Sequence, residues 1–223
     1  MEGNSRSVSS NQVGLHENLD KVVLRHLAQP FQKPYQQHTL DAFLKLEKQV
    51  EAANRPLIFD SCCGTGLSTA ALAQLHPDAL VVGTDKSAHR LTKHQAHFDQ
   101  LGQNYLLLQV DLNDFWRLAV EAGWQLSHHY ILYPNPWPKS KHLQRRWHGS
   151  AVFPQIIHTG EIIELRSNWR LYLEEFLVAA EIAGCCGEIV ELEVTEPLTP
   201  FEAKFTVSGQ QCWQLLIETK GSA

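Results

Sequence analysis

The chain has 223 residues, of which 43% are hydrophobic, which suits a single packed domain and excludes a disordered chain. No apolar run approaches the ~20 residues of a membrane helix, and the opening MEGNSRSVSSNQVG lacks an apolar signal core, so the expectation is a cytoplasmic protein without a membrane partner. A formal charge of −5 and a pI of about 6.2 exclude a global basic field that would advertise nucleic acid.

Five cysteines fall as Cys62-Cys63, Cys185-Cys186 and a lone Cys212. That odd count without CxxC spacing supports neither a disulfide framework nor a zinc site. The twelve histidines, His128 and His129 among them, also lack metal-ligand spacing, so no metal is expected.

In chain order, residues 1–38 read as a partly flexible N-terminal extension, polar at first and then broken by Pro30 and Pro34, before a domain over 39–223. Leu40, Phe43, Leu44, Leu46 and Val50 space as a helix face, with Thr39 as its N-cap. Leu57–Phe59 is a strand, Ser61–Gly66 a small-residue turn and Leu67–Leu75 a helix. Strands follow over Ala79–Thr84, Tyr105–Val110, His129–Tyr133 and Ile162–Leu165. Helices intervene around Ala88–Leu101 and Phe115–Ala122, and a long one spans Trp169–Ile182 with Gly184 as its stop. Glu188–Val194 and Cys212–Glu218 close the chain as an antiparallel pair with no helix between them.

Alternating strands and helices require crossover connections and hence a parallel sheet covered on both faces. The expected fold is α/β: a doubly wound, seven-stranded, mostly parallel sheet with an antiparallel C-terminal edge. Such sheets bind ligands beyond the carboxyl ends of their strands. Asp60, Asp85, Asp111 and Asn135 each follow one of the first four strands, which predicts one polar rim.

The turn Asp60-Ser-Cys-Cys-Gly64-Thr-Gly66 opens a helix whose N-terminus favours negative charge. Asp85 suits ribose hydroxyls and Asp111 an adenine edge, so a nucleoside cofactor is expected. Asp60 would repel a pyrophosphate but pairs with an ammonium group, which favours S-adenosylmethionine over a dinucleotide.

Opposite this donor end, Ile131–Leu132 runs into Tyr133-Pro-Asn-Pro-Trp-Pro-Lys139. Three prolines in five residues exclude a helix interior or a central strand. Asn135 and Trp137 are therefore presented on a stiff turn, beside the cations Lys139, Lys141, Arg145 and Arg146, which read as a phosphate patch.

The chain from about Leu57 to Lys220 resembles the tRNA (guanine-N7)-methyltransferase family. The stretch Tyr133–Lys139, with Lys141-His142 and Arg145-Arg146, is similar to the family's PDPWPK signature and basic tail. Ser167-Asn168-Trp169 stands at its Thr-Asp-Trp, and Thr199-Pro-Phe-Glu202 at its T-x-F-E, followed by Gly209 and Trp213. The resemblance implies a class I S-adenosylmethionine-dependent methyltransferase with tRNA as substrate. It assigns the cofactor to Asp60, Gly64, Gly66, Asp85 and Asp111. Asn135 takes the catalytic position, while Trp137, Lys139, Asn168, Thr199 and Glu202 take the substrate side. Cys62 replaces the family's first glycine, and Asn135 and Asn168 replace aspartates. Those two amides keep open a second substrate class, another RNA base or a small molecule, and a catalytically weakened relative that binds RNA or cofactor.

Overall fold

The computed structural model describes residues 5–95 and 104–219. Its seven strands are β1 (Leu57–Ser61), β2 (Leu80–Asp85), β3 (Tyr105–Gln109), β4 (Leu126–Leu132), β5 (Gly160–Ser167), β6 (Cys186–Leu192) and β7 (Cys212–Glu218). They form one sheet in the order β3-β2-β1-β4-β5-β7-β6. The pairs among β1 to β5 are parallel, and β7 is antiparallel to both β5 and β6. The reversed strand therefore lies inside the sheet, and β6 forms the edge.

Eight helices accompany the sheet within the described residues: α1 (Leu19–Ala28), α2 (Gln37–Ala53), α3 (Leu67–Leu75), α4 (Ala88–Gln95), α5 (Leu112–Glu121), α6 (Phe153–Thr159), α7 (Arg170–Ile182) and α8 (Pro200–Val207). The far end of the helix expected over Ala88–Leu101 lies outside the described residues. The helix α8 corrects the expectation of a direct connection between the last two strands. Thr199 is its N-cap and Pro200 its first residue, because proline needs no amide partner there. Thr39 is also reassigned. It lies inside α2, fully buried, and its Oγ1 accepts the Asp111 N–H at 3.0 Å.

The strand β1 is buried along its whole length, so alternate side chains enter two different cores. Leu57 and Phe59 join a large core with α1, α2, α5, α6 and α7, and Ile58 joins a smaller one with Leu72 and Ala73 of α3. Each fully buried side chain of this size contributes roughly 1.5–3 kcal/mol. Leu19, Val22 and Val23 of α1 are buried in the large core, so this helix is part of the same packing. The same alternation decides the site: Asp60 faces α3, and Ser61 faces α5.

Between the two faces, Gly83 allows α3 to lie close against β2. A Cβ there would come within 2.2 Å of Thr69 Oγ1, and that hydroxyl is one of the groups that hold Asp60.

Candidate active site

The expected donor side is built at the end of β1. Asp60 is buried, and its Oδ2 accepts from Ser68 Oγ at 2.6 Å and Thr69 Oγ1 at 2.7 Å. Its Oδ1 is buried without a partner. Burial pushes the carboxyl up to about 6, against the two hydroxyls that favour its charge, and the nearby Asp85 adds to the rise. An orphaned carboxylate oxygen in an apolar setting is costly until a cation or donor meets it.

The turn after β1 brings Asp85 to the same place. Gly64 N–H donates to Asp85 Oδ2 at 3.1 Å, and Ser87 N–H donates to Oδ1 at 2.8 Å. Gly64 has φ +61, and a Cβ built there meets nothing within 4 Å, so open space lies over the turn. Gly66 has φ 80 and caps α3. Cys62 adopts φ 66, the left-handed conformation that glycine takes without strain. Its thiol is pushed up to about 12 by burial and the Asp85 charge, opposed by a hydrogen bond with Trp147, and so stays neutral.

The third carboxylate is placed differently. Asp111 caps α5, its Oδ1 accepting from Asn113 N and Nδ2, both at 2.9 Å. Its Oδ2 accepts from Gln36 Nε2 at 3.0 Å. The structure thus brings Asp60 and Asp85 together and commits Asp111 to holding the start of α5 and the residues before α2.

The expected acceptor side is the proline turn. Tyr133 has φ 51 and Trp137 φ 44; with Cys62, three left-handed non-glycine residues flank the rim, and such strain is concentrated at functional sites. Asn135 is exposed, and its Oδ1 accepts from Trp137 N–H at 3.2 Å. One amide oxygen lone pair and both amide hydrogens remain for a ligand. The Trp137 ring has the Arg145 guanidinium 4.7 Å above it and the His142 ring edge-on at 5.5 Å. Lys139 and Lys141 are exposed beside it.

Arg146 corrects the expected phosphate patch. It is fully buried, pairs with Glu175 and lies 5.0 Å over the Trp169 ring. A guanidinium enclosed by its own carboxylate cannot reach a phosphate. Leu143 and Arg146, three residues apart, both turn inward across the 3-10 helix Ser140–Arg145, while Lys141, Gln144 and Arg145 turn outward.

Glu202 is likewise structural. It is fully buried; Oε1 accepts from Tyr133 OH at 2.8 Å and Arg166 Nη1 at 3.0 Å, and Oε2 from Leu198 N at 2.6 Å. Thr199 Oγ1 accepts from Glu202 N–H at 3.0 Å, which caps α8. Thr199 also lines a groove of about 500 Å³ between α3 and α8. Glu202 therefore holds the Tyr133 end of the turn, and Thr199 fixes Glu202 by capping α8. Asn168, half-buried at the end of β5, donates from Nδ2 to Gln210 Oε1 at 2.7 Å.

An N-terminal strap, which sequence reasoning missed, fastens the same turn. Ser10 Oγ donates to the Pro138 carbonyl at 2.6 Å, Ser140 N–H to Asn11 Oδ1 at 3.0 Å, and Gln12 Nε2 to Glu175 Oε1 at 2.5 Å. Its polar composition carries no periodic signal; its partners lie 128 to 163 residues away.

Residues 54–215 match the model of the methyltransferase family Methyltransf_4 ("Putative methyltransferase"). The chain belongs to this methyltransferase family. A tRNA (guanine-N(7)-)-methyltransferase of Thiobacillus denitrificans is 26% identical over 208 residues, covering 88% of each chain. One of a Nocardioides species is 27% identical over 182 residues, covering 75% of this chain and 69% of the relative. Among solved structures, the 16S rRNA methyltransferase KamB superposes with a TM-score of 0.60 at 16% identity, covering 82% of this chain and 94% of the other.

The methyltransferase depends on S-adenosylmethionine, and its residues fit that cofactor. The unpartnered Asp60 Oδ1 suits the methionine ammonium group, and the open space at Gly64 admits backbone contact. Asp85, whose Oδ2 also meets Arg90 Nη1 at 3.4 Å, keeps acceptor lone pairs that would suit ribose hydroxyls. Among the described residues no group of three His, Cys, Asp or Glu is arranged to hold a metal. No helix there is long and apolar enough to cross a membrane.

Proposed function

We propose that this methyltransferase transfers the methyl group to guanine N7 in tRNA. The observation that carries the reading is the likeness to a tRNA guanine-N7 methyltransferase along 88% of both lengths. The stiff acceptor turn and its exposed lysines support it. On this reading the enzyme works in the cytoplasm, where tRNA is found.

When bound, S-adenosylmethionine supplies an electrophilic methyl group, which guanine N7 takes on its lone pair while the carbon–sulfur bond breaks toward sulfur. N7 carries no proton, so the protein needs no general base; it needs positioning. Asp60 and Asp85 hold the donor by its ammonium and ribose. Asn135 has its amide hydrogens free and donates to guanine O6, which leaves the adjacent N7 lone pair exposed to the methyl group. Asn168 holds the far edge of the base, and Lys139 meets a flanking phosphate. Neither amide offers negative charge to the guanine that becomes cationic, so turnover is slower than carboxylates at these two positions would allow.

The test is incubation with labelled S-adenosylmethionine and bulk tRNA, followed by nucleoside analysis. Label in 7-methylguanosine is expected. Label confined to another nucleoside, or calorimetry that detects no S-adenosylmethionine binding, would overturn the reading.

A further inference from the structure

We propose that the groove between α1 and the 3-10 helix Ser140–Arg145 is a docking site for the phosphate backbone of the RNA substrate. The inference rests on the RNA reading above and extends it to a wall that lies outside residues 54–215, the part that matches the family.

The groove has a volume of about 490 Å³. Lys21 and Arg25, one helical turn apart on α1, form one wall, and Lys141 and Arg145 form the other. All four are exposed, and no ion pair among the described residues holds any of them. No carboxylate lines the groove; Asn18 and Gln144 add neutral groups that can donate to phosphate oxygens. In a chain whose formal charge is −5, four converging cations repel one another unless an anion joins them. That field is felt locally: besides desolvation, Arg145, Lys141 and Lys139 hold the pKa of His142 below its ordinary value.

The walls are fixed. Val22 and Leu143, which line the groove, are both buried in the large core. The groove also continues from the acceptor turn, because Arg145 belongs to both: it stacks over Trp137 and lines the cleft. An RNA strand whose target base sits at Asn135 and Trp137 therefore has a phosphate track leading from the base toward α1. Single cations on a surface are ordinary; four on facing walls of one groove, contiguous with the site, match a polyanion.

The test is tRNA binding across a salt series for the full-length protein and for K21Q/R25Q, with K45Q/K48Q on exposed positions of α2 as a control of equal charge change. The groove variant is expected to lose roughly tenfold in affinity at 0.1 M salt, with a salt slope smaller by about 1.5. Its S-adenosylmethionine affinity and thermal midpoint should match the wild type. K141Q, on the opposite wall, should lower the slope by about 0.8. A groove variant with wild-type slope and affinity, or a control that loses as much, would overturn the docking site alone. A wild-type protein that binds no tRNA would remove the RNA reading together with it.

Discussion

Arg146 donates to the Trp137 carbonyl through both Nε and Nη2, each at 3.2 Å. One buried guanidinium thereby ties the acceptor turn to Glu175 of α7, which also accepts from His148 Nε2 at 2.9 Å and from His16 N at 2.9 Å. Burial alone would raise the Glu175 carboxyl. The His148 hydrogen bond and the Arg146 charge more than offset it and hold the group at about 2.

The first prediction separates strut from phosphate ligand. R146Q strands the buried Glu175 charge and should cost about 3–5 kcal/mol in chemical denaturation. A phosphate ligand would behave otherwise: R146Q would lower the salt slope of tRNA binding at nearly unchanged stability.

A second prediction concerns charge at the acceptor turn. An aspartate at position 135 keeps the oxygen that accepts the Trp137 N–H, so the turn survives N135D. The added charge should raise guanine-N7 transfer by on the order of tenfold. N135L removes the acceptor and should lower the rate. Single-turnover kinetics at saturating cofactor read both, and an unchanged N135D rate would count against the missing-charge account.

Cofactor binding should depend on pH through Asp60. Its folded carboxyl titrates at about 6, and the protonated form cannot pair with an ammonium. The dissociation constant for S-adenosylmethionine should therefore rise about tenfold per pH unit below 6. D60N should bind more weakly, with that dependence removed. Calorimetry between pH 4.5 and 7.5 decides it.

A fourth prediction concerns the stability of the core. Trp116 Nε1 donates to Ser61 Oγ at 3.1 Å, and Thr159 Oγ1 donates to the Ile156 carbonyl at 2.9 Å. Between them His129 meets Ser61 Oγ through Nε2 at 2.8 Å and Thr159 Oγ1 through Nδ1 at 3.1 Å. The two hydroxyls set the tautomer: Ser61 donates to Nε2, and Nδ1–H donates to Thr159. Burial lowers the His129 pKa from 6.5 to about 3. The unfolded chain then binds the extra proton, so this contribution is complete above pH 6.5 and is lost as pH falls toward 3, by up to about 1.4 kcal/mol per unit. Asp60 has the opposite sign. Its folded pKa is raised from 3.8 to about 6, so its contribution is complete below 3.8 and is lost as pH rises through 6. From 3.8 to 6 the two oppose each other. D60N should therefore lose stability more steeply than the wild type as pH falls from 6 to 4, as urea titrations at fixed pH would show.

The strands were legible because β1, β2 and β3 carry apolar runs bounded by small and polar residues, and Asp60 and Asp85 could be placed from the strand ends alone. The helix α8 carried its own start signal, Thr199 followed by Pro200, but the same letters also read as a motif and as a loop. Arg146 and Arg145 are indistinguishable in sequence; only the three-residue period of a 3-10 turn, with Leu143 as the inward mark, separates the buried guanidinium from the exposed one. Asp111 was placed at the end of the third strand, but its capping of α5 was not legible, since a cap and a rim carboxylate occupy the same position after a strand. Nothing local announced that Ser10, Asn11 and Gln12 would meet the proline turn, because that contact depends on partners far along the chain.

That strap also imposes an order on synthesis. Gln12 meets Glu175 across 163 residues, and at 5–20 residues per second its partner emerges about 8–33 s after it. The donor half, Asp60 through Asp85 with α3, is available to fold well before the acceptor turn receives either Glu175 or Glu202. A nascent chain halted after β4 would hold Asp60 and Asp85, the proposed grip on a methyl donor, and neither Glu175 nor Glu202, the buried carboxylates that brace the proline turn.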